Sequence, residues 1–367
     1  MLTDIDLANY SKLLLDYCLE IRPGSKLFIQ STTLAEPLIL QLYKGALERQ
    51  AIAEVNFSLE GQENIFNNYA HADALNWVNP TYIKAVNEFD AYVYIRAPHS
   101  LTTYQPMPAE KAEIRRQTLL PYQRIYNQRT GNRSLRRSLC QYPTPASAMD
   151  ASMTIEQYEE FVLQSCFLRS ADPFASWVQL SVKQQKIVDY LNTVSHIRYT
   201  NSKSDITFST QGRTWINSDG RTNMPSGEVY SSPIEDSVNG HIFFDYPFLY
   251  QPEEISGVYL EVKEGKVIQA VAERGNDILK EMLTIPGADH FGEVAIGTNP
   301  NIQIPTKNIL FDEKMSGTVH MALGQSYLQC GGKNESALHQ DMICNMKEGG
   351  EIWADGILIY SNGNFLI

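Results

Sequence analysis

Residues 22–30 have the sequence Arg-Pro-Gly-Ser-Lys-Leu-Phe-Ile-Gln and decide the fold of the N-terminal half of the chain. The Pro-Gly pair predicts a turn, and the apolar run after it predicts a strand at Lys26–Gln30. The preceding periodicity predicts a helix at Ile5–Ile21. Further along, helix and strand patterns alternate, at Leu38–Gln50 (helix), Ala53–Phe57 (strand), Tyr82–Glu88 (helix) and Ala91–Ile95 (strand). The alternation predicts a parallel, Rossmann-like α/β layer, which we expect to be a scaffold because no Gly-x-Gly-x-x-Gly is present.

The predicted secondary structure changes twice in the remainder of the chain. Residues 105–195 are predicted to be largely helical, with helical periodicity over Thr154–Arg169 and a break at Pro143 and Pro145. From about residue 196, short strand patterns follow one another, at Asp205–Ser209, His241–Tyr246, Val258–Val262, Lys266–Val271, Gly356–Tyr360 and Asn364–Ile367. The turn Ser361-Asn362-Gly363 predicts a hairpin between the last two.

The fold class that follows is α/β with two domains, since a chain of 367 residues exceeds the usual size of one core. We predict an N-terminal α/β domain with a helical extension at residues 1–190. The second domain, at residues 191–367, is predicted to be a mixed, mostly antiparallel α+β domain rich in strands.

Composition argues against several classes of function. The formal net charge is -12, from 30 Lys and Arg against 42 Asp and Glu. Nucleic-acid binding depends on clustered positive charge, so we expect no nucleic-acid partner. The single basic concentration is expected to be a solvated or pairing face, formed by Arg115, Arg116, Arg124, Arg129, Arg133, Arg136 and Arg137. No apolar run reaches the roughly 20 residues of a membrane helix, and Met1–Asp4 does not begin a signal peptide, so we expect a cytoplasmic protein.

The cysteines and the common catalytic motifs narrow the chemistry further. The five cysteines are scattered, form no Cys-x-x-Cys pair and are expected to be buried free thiols: Cys18, Cys140, Cys166, Cys330 and Cys344. The sequence also lacks a Walker motif, His-Glu-x-x-His and Gly-x-Ser-x-Gly. These absences argue against the corresponding nucleotide-hydrolysing, zinc-protease and serine-hydrolase signatures.

A His-x-Asp pattern at His339-Gln340-Asp341 is the first sign of a metal site. In an extended strand, residues two apart project to the same face, which would place the imidazole beside the carboxylate. The pattern alone is weak, because a hydrogen-bonded surface pair has the same sequence. Glu228, Glu293 and His320 lie upstream, the latter two among apolar residues. Taken singly, each is equally explained as a buried polar residue with a satisfied partner.

Four segments, taken in order, resemble the thermophilic aminopeptidase family, which contains aminopeptidase T and aminopeptidase S. They are Asn-Met-Pro-Ser-Gly-Glu-Val at Asn223–Val229, Gly-Glu-Val-Ala at Gly292–Ala295, the Leu-Phe-Asp-Glu…His-Met-Ala-Leu-Gly-Gln-Ser-Tyr segment at Leu310–Tyr327, and His339–Asp341. Two middle segments, Tyr142–Thr144 and Asp172–Trp177, extend the resemblance over nearly the whole chain.

The resemblance implies a set of metal ligands, with Tyr327 as the catalytic tyrosine: Glu228, Glu293, His320, His339 and Asp341. Two features depart from the family pattern. The family often has two adjacent glutamates where this chain has Gly227-Glu228, and the interval from His320 to His339 is shorter than usual. A shortened loop explains the second departure.

The implied activity is that of a homodimeric metalloaminopeptidase, which hydrolyses peptides from a free N-terminus. If Glu293 bridges two divalent ions and a hydroxide completes the set, each ion has about four bonds, as zinc prefers; extra ligands would suit cobalt, manganese or magnesium. Tyr327 would stabilise the oxyanion, and Glu228 or Glu293 would carry the proton.

Two other interpretations remain open at this point. The chain could be a catalytically silent peptide- or metal-binding protein on the same scaffold, with Gly227 as a sign of a decayed site. It could also be a metal-dependent amidase or carboxypeptidase, which keeps the cluster and recognises a different part of the substrate.

Overall fold

The computed structural model describes residues 2–101, 105–250 and 253–367. They form two compact units, one of Met1–Phe174 with Gly220–Pro225 and the other of Ala175–Asp219 with Ser226–Ile367. The domain division at 190/191 stays a prediction. In the structure, Leu191 ends a helix that begins at Pro173.

The helices and strands have the following bounds. The α-helices are α1 Asp4–Leu13, α2 Glu36–Glu48, α3 Gln62–Tyr69, α4 Ala72–Leu75, α5 Pro80–Glu88, α6 Ala109–Gly131, α7 Pro145–Asp150, α8 Ile155–Ser165, α9 Pro173–Leu191, α10 Asn276–Met282 and α11 Ile309–Asp312. A π-helical segment, Leu14–Cys18, continues α1, and 3-10 turns lie at Thr33–Ala35 and Leu328–Cys330. The strands are β1 Lys26–Thr32, β2 Ile52–Ser58, β3 Ala91–Arg96, β4 Arg136–Gln141, β5 His196–Asn201, β6 Ser204–Ser209, β7 Ile216–Ser218, β8 Asn223–Met224, β9 Glu228–Ser231, β10 Asn239–Phe244, β11 Phe248–Tyr250, β12 Glu253–Lys263, β13 Lys266–Arg274, β14 Phe291–Gly297, β15 Thr318–Gly324, β16 His339–Asn345, β17 Glu351–Ala354, β18 Ile357–Ser361 and β19 Asn364–Phe365.

The first unit contains the parallel sheet that the alternating pattern predicts. Its strand order is β2-β1-β3-β4-β8, and every neighbouring pair in it is parallel. Leu27, Phe28 and Ile29 on β1 are fully buried, as expected for a strand with both faces covered. The prediction of a parallel α/β layer is confirmed.

The middle region differs from the prediction in one element. Residues Arg136–Gln141 form β4, parallel to β3, inside a region predicted to be largely helical. The strand is Arg-Arg-Ser-Leu-Cys-Gln and has no apolar run, so periodicity does not reveal it. Ser138, Cys140 and Gln141 are nevertheless buried. The pairing with a neighbouring strand, and not local hydrophobicity, determines the conformation here.

The second unit consists largely of antiparallel sheet, as predicted. One sheet has the order β11-β12-β10-β6-β5-β17-β18-β19, with β13 paired to β12, and the other has the order β16-β15-β14-β9-β7. The predicted hairpin joins β18 to β19, with Asn362 and Gly363 both at positive φ, as its turn requires. All five cysteines are buried, and none of them forms a disulfide.

Three central strands of the second sheet have one apolar and one polar face. Val294, Met321 and Met342, one from each of β14, β15 and β16, belong to the main core of the unit. Because side chains alternate along a strand, the neighbouring residues Glu293, His320 and Asp341 project from the opposite face. That face is also buried, so any polar group on it needs a partner.

Candidate metal centre

The strand register brings the five predicted ligands together on one face of the sheet. Directly paired residues in neighbouring strands share a face, and each ligand stands opposite a glycine or an alanine in at least one neighbouring strand. The pairs are Glu228↔Gly297, Glu293↔Ala322, His320↔Ala295, Asp341↔Ala322 and His339↔Gly324. These small partners leave space above the sheet for long polar side chains.

A bulge in β14 fixes the face on which Glu293 lies. The register against β15 shifts between Phe291 and Glu293. A Cβ on the intervening Gly292 would lie 2.4 Å from the carbonyl oxygens of Gly324 and Gln325, so only glycine fits. Since a shift of one residue moves a strand's side chains to the other face, the bulge sets the alignment of Glu293 with the other ligands.

The side-chain atoms lie at the separations that a metal ion requires. His320 Nε2 is 3.2 Å from Glu228 Oε2 and 3.7 Å from Glu293 Oε1. His339 Nε2 is 3.1 Å from Glu293 Oε2 and 3.6 Å from Asp341 Oδ2. Ligand atoms around a tetrahedral ion with bonds of about 2.0–2.1 Å are about 3.3 Å apart. Two ligand groups that share Glu293 therefore fit divalent ions.

Unpartnered buried atoms provide an independent test of the fit. Within residues 2–101, 105–250 and 253–367, Glu228 Oε2, Asp341 Oδ1 and both ring nitrogens of His320 have no hydrogen-bond partner. His320 Nε2 is near a carboxylate but lacks hydrogen-bond geometry. Leaving such groups unpaired in a protein interior is costly, and a bound cation would satisfy the two carboxylate oxygens and Nε2 of His320. The residues present thus fit the metal that the donor set suggests.

His339 is oriented by the backbone. Its Nδ1 lies 2.8 Å from the carbonyl oxygen of Gln325, to which it can donate a hydrogen bond. That bond selects the neutral tautomer whose Nε2 has a free lone pair, and Nε2 is the atom facing Glu293 and Asp341. Metal-ligating histidines are commonly held in this way.

The charges in the cluster strongly favour cations. Burial lowers the pKa of His320, but the carboxylates of Glu228 and Glu293 outweigh it and raise that pKa to about 9. Burial likewise lowers the pKa of His339, and Asp341 and Glu293 raise it to about 11. Without a metal, protons on the histidines neutralise the carboxylates, and a divalent cation would replace these protons.

Tyr327 lies at the edge of the cluster. Its hydroxyl is 3.4 Å from His339 Nε2, and its ring makes an edge contact with Tyr230, with centroids 5.2 Å apart. Burial, together with the carboxylates of Glu293 and Asp341, raises the pKa of Tyr327 well above its usual value. The phenol therefore keeps its proton and can donate it in a hydrogen bond.

The structure adds two residues that were not predicted, Glu313 and Lys314. Glu313 forms a third possible ligand group with His320 and Asp341, whose ligand atoms all lie within 4.8 Å of one another. The ammonium of Lys314 is fully buried, 3.2 Å from Glu228 Oε1 and in contact with Glu313. Glu313 stands in the Leu-Phe-Asp-Glu segment that carries the resemblance, which is the signal that could have identified it.

Gly227, one of the departures from the family pattern, has a structural explanation. Its φ is +118°, and a Cβ there would lie 2.7 Å from the Cβ of Asn299 and 3.0 Å from its backbone nitrogen. Asn299 in turn donates a hydrogen bond from Nδ2 to the carbonyl oxygen of Ser226. The glycine allows this close approach next to Glu228, so it is not by itself a sign of a decayed site.

We expect Gly227→Ala to lower the free energy of unfolding by about 3 kcal/mol, since it combines a strained φ with a clash against backbone. Urea unfolding measures the change. Gly212→Ala is a matched control, because Gly212 also has positive φ (+72°) but no atom within 4 Å of the added Cβ, and it should lose only about 1–2 kcal/mol. Equal losses in the two variants would contradict the packing argument.

A cavity of about 430 Å³ lies elsewhere in the second unit, lined by residues such as His196, Phe208 and Trp353. It contains none of the cluster residues, and its lining has no metal-ligand group. The chemistry is therefore assigned to the polar face of β9, β14, β15 and β16.

A group of carboxylates and imidazoles with unsatisfied buried atoms, in which two ligand groups share Glu293, is typical of a metal-dependent enzyme. Comparison with known proteins gives the family. The chain belongs to the thermophilic metalloprotease family M29, which it matches over residues 3–365. It is accordingly a metallopeptidase, a hydrolase of peptide bonds that uses divalent metal.

Individual relatives agree with this assignment. The chain is 26% identical to aminopeptidase 2 of Geobacillus stearothermophilus, over 92% of this chain and 91% of the relative. It is 29% identical to aminopeptidase AmpS of Bacillus subtilis, over 56% and 58% of the two chains. The solved structure of wild-type AmpT from Thermus thermophilus has the same fold, with a TM-score of 0.84, 18% identity and coverage of 99% of both chains.

Proposed function

We propose that this chain is an aminopeptidase whose centre holds two divalent ions. The observation that carries the proposal is the pair of overlapping ligand groups, Glu228–Glu293–His320 and Glu293–His339–Asp341, which share one carboxylate on a single sheet face. The similarity to an aminopeptidase over most of the chain supports recognition of the N-terminal end of the peptide substrate.

The charge balance supports two ions. The four carboxylates, including Glu313, contribute −4, and Lys314 contributes +1. Two divalent ions with neutral histidines add +4, so the sum is +1. One negative charge from solvent or substrate makes the centre neutral, which a buried site requires.

The reaction assigns distinct tasks to these side chains. When bound, divalent ions in such a centre act as Lewis acids toward a water and the scissile carbonyl, and they accept an uncharged amino group. The hydroxyl of Tyr327 donates a hydrogen bond to the oxygen that becomes negative, and this bond strengthens in the transition state. A carboxylate, Glu228 or Glu293, carries the proton to the leaving amine.

We expect Tyr327→Phe to lower kcat by about a hundredfold to a thousandfold, with little change in KM and unchanged metal content. The substitution removes one hydroxyl that stabilises developing charge and leaves the ligand groups intact. Steady-state kinetics on a leucyl amide, with metal analysis of the same sample, measures both properties.

Tyr199→Phe is the matched control for that experiment. Tyr199 is fully buried, its hydroxyl has no hydrogen-bond partner among the described residues, and it packs in the core of the same unit on β5. Its substitution should leave kcat nearly unchanged. An unaltered kcat in Tyr327→Phe would remove Tyr327 from the mechanism.

Three further properties belong to the proposal. The ions are zinc, cobalt, manganese or magnesium, the enzyme is a homodimer, and it acts in the cytoplasm. No helix within the described part of the chain is long and apolar enough to cross a membrane. Metal analysis of the purified protein and its mass in solution test the first two properties.

A further inference from the structure

Lys314 has an unusual position for a lysine, because its side chain is fully buried. It follows α11, where its backbone nitrogen donates to the carbonyl oxygen of Phe311 (3.0 Å) and its carbonyl accepts from the nitrogen of Asn299 (2.9 Å). The backbone is therefore held on both sides. A buried lysine is rare unless it is paired, and here the partners are the carboxylates of Glu228 and Glu313.

The lysine gives the cluster two unlike ends. Glu228 is 3.2 Å from the ammonium through Oε1 and 3.2 Å from His320 Nε2 through Oε2, so at this end an ion would have to share the Glu228 carboxylate with the ammonium. At the other end, the ion pairs that the described residues make with Asp341 are with His339. An ammonium has no lone pair with which to bind a metal, so Lys314 remains a neighbour of the ion and not one of its ligands.

We propose that Lys314 makes the two metal positions unequal: the Glu293–His339–Asp341 position fills first, and the Glu228–Glu293–His320 position binds its ion more weakly. The reason is electrostatic repulsion between the ammonium and a divalent ion that would share Glu228, within a site of low dielectric constant. Lys314 thereby determines the concentration of metal at which the centre becomes complete. This inference rests on the two-ion centre proposed above.

The test is a calorimetric titration of metal-free protein with Zn²⁺, with native mass spectrometry to count bound ions. Wild-type protein should bind two ions with dissociation constants that differ by about tenfold or more. Glu228→Gln should lose the weaker event and keep the tighter one, which assigns the weak position to the Glu228 end.

Lys314→Met removes the charge while keeping the length of the side chain, and it should tighten the weaker event by about tenfold or more. Lys314→Gln removes the charge but keeps a hydrogen-bond donor. It is the alternative variant for the same measurement if Lys314→Met does not fold. Lys266→Met is the control, because Lys266 is an exposed lysine paired with Asp289, and it should leave both constants unchanged.

The results separate this inference from the one on which it rests. Two equal constants in the wild type would overturn it, as would unchanged or weaker binding in both Lys314 variants, or loss of the tighter event in Glu228→Gln. Wild-type protein that bound no Zn²⁺ would instead overturn the metal centre itself. None of these binding measurements requires the protein to have hydrolytic activity.

Discussion

His320→Ala and Asp341→Ala are each expected to lose bound metal and to lower turnover by more than about a hundredfold. Substitutions of groups that merely orient metal ligands cost about 10–100-fold in metal affinity or activity, and a direct ligand should cost more. Among the described residues, His320 belongs to two of the three possible ligand groups, and it lies within 4 Å of both Glu228 and Glu293. Its removal also deletes the imidazole that lies between Glu228 Oε2 and Glu293 Oε1 in a buried site.

The variants should remain folded, because the backbone pairing of β15 and β16 does not depend on these side chains. Metal analysis after dialysis, circular dichroism and kinetics on one preparation distinguish loss of metal from loss of fold. His241→Ala is a suitable control: His241 is a half-buried histidine of the same unit that packs beside Tyr259 away from the cluster. Two metal ions per chain and near-normal turnover in either variant would show that the assigned cluster is wrong.

Local patterns were sufficient to predict the parallel α/β layer and several of the antiparallel strands. The turn at Pro23-Gly24 and the strand after it have the expected positions, and β1 pairs in parallel with β2 and β3. The hairpin at Asn362-Gly363 also agrees, because both residues favour the positive φ that the turn requires. By contrast, β4 could not be predicted, since its burial depends on strands far away in the sequence.

The site was predictable only in part. The i, i+2 spacing of His339 and Asp341 suggests that they share a strand face, and the strand His339–Asn345 places them so. Spacing does not show that Glu228 and Glu293 lie on the same face, because that depends on strand register and on the bulge at Gly292. The resemblance to known aminopeptidases supplied what local pattern could not.

Glu313 and Lys314 show the limit of reasoning from sequence most clearly. Adjacent residues of opposite charge ordinarily indicate an exposed surface. Here the short helix α11 directs both into the cluster, where Lys314 is fully buried beside Glu228. A polar pair in a loop has no periodicity that would reveal its burial, so its role could be found only from the three-dimensional structure.

The substrate's amino group provides the sharpest test of the proposed activity. An aminopeptidase of this kind must bring an uncharged, unblocked amine to the centre. Acetylation turns the nitrogen into an amide, whose lone pair is delocalised and whose acetyl group needs space. The residues Glu228 and Asp341, beside which the acetyl group would have to fit, are nearly fully buried. Neither binding of the nitrogen nor positioning for attack should survive.

We therefore expect a peptide with a free N-terminal leucine to be shortened one residue at a time, and its N-acetyl counterpart to resist cleavage completely. Both peptides are incubated at the same metal concentration, and the products are followed by mass spectrometry. Stepwise loss from the free N-terminus agrees with an aminopeptidase, because the amine exposed by each cut becomes the group that is recognised next. Release of residues from the C-terminus would indicate a carboxypeptidase, and equal cleavage of the capped peptide would indicate an amidase. Either result would refute the aminopeptidase assignment. Both would remain compatible with the proposed metal ligands, because such a centre would act on the scissile carbonyl whichever end of the substrate is recognised.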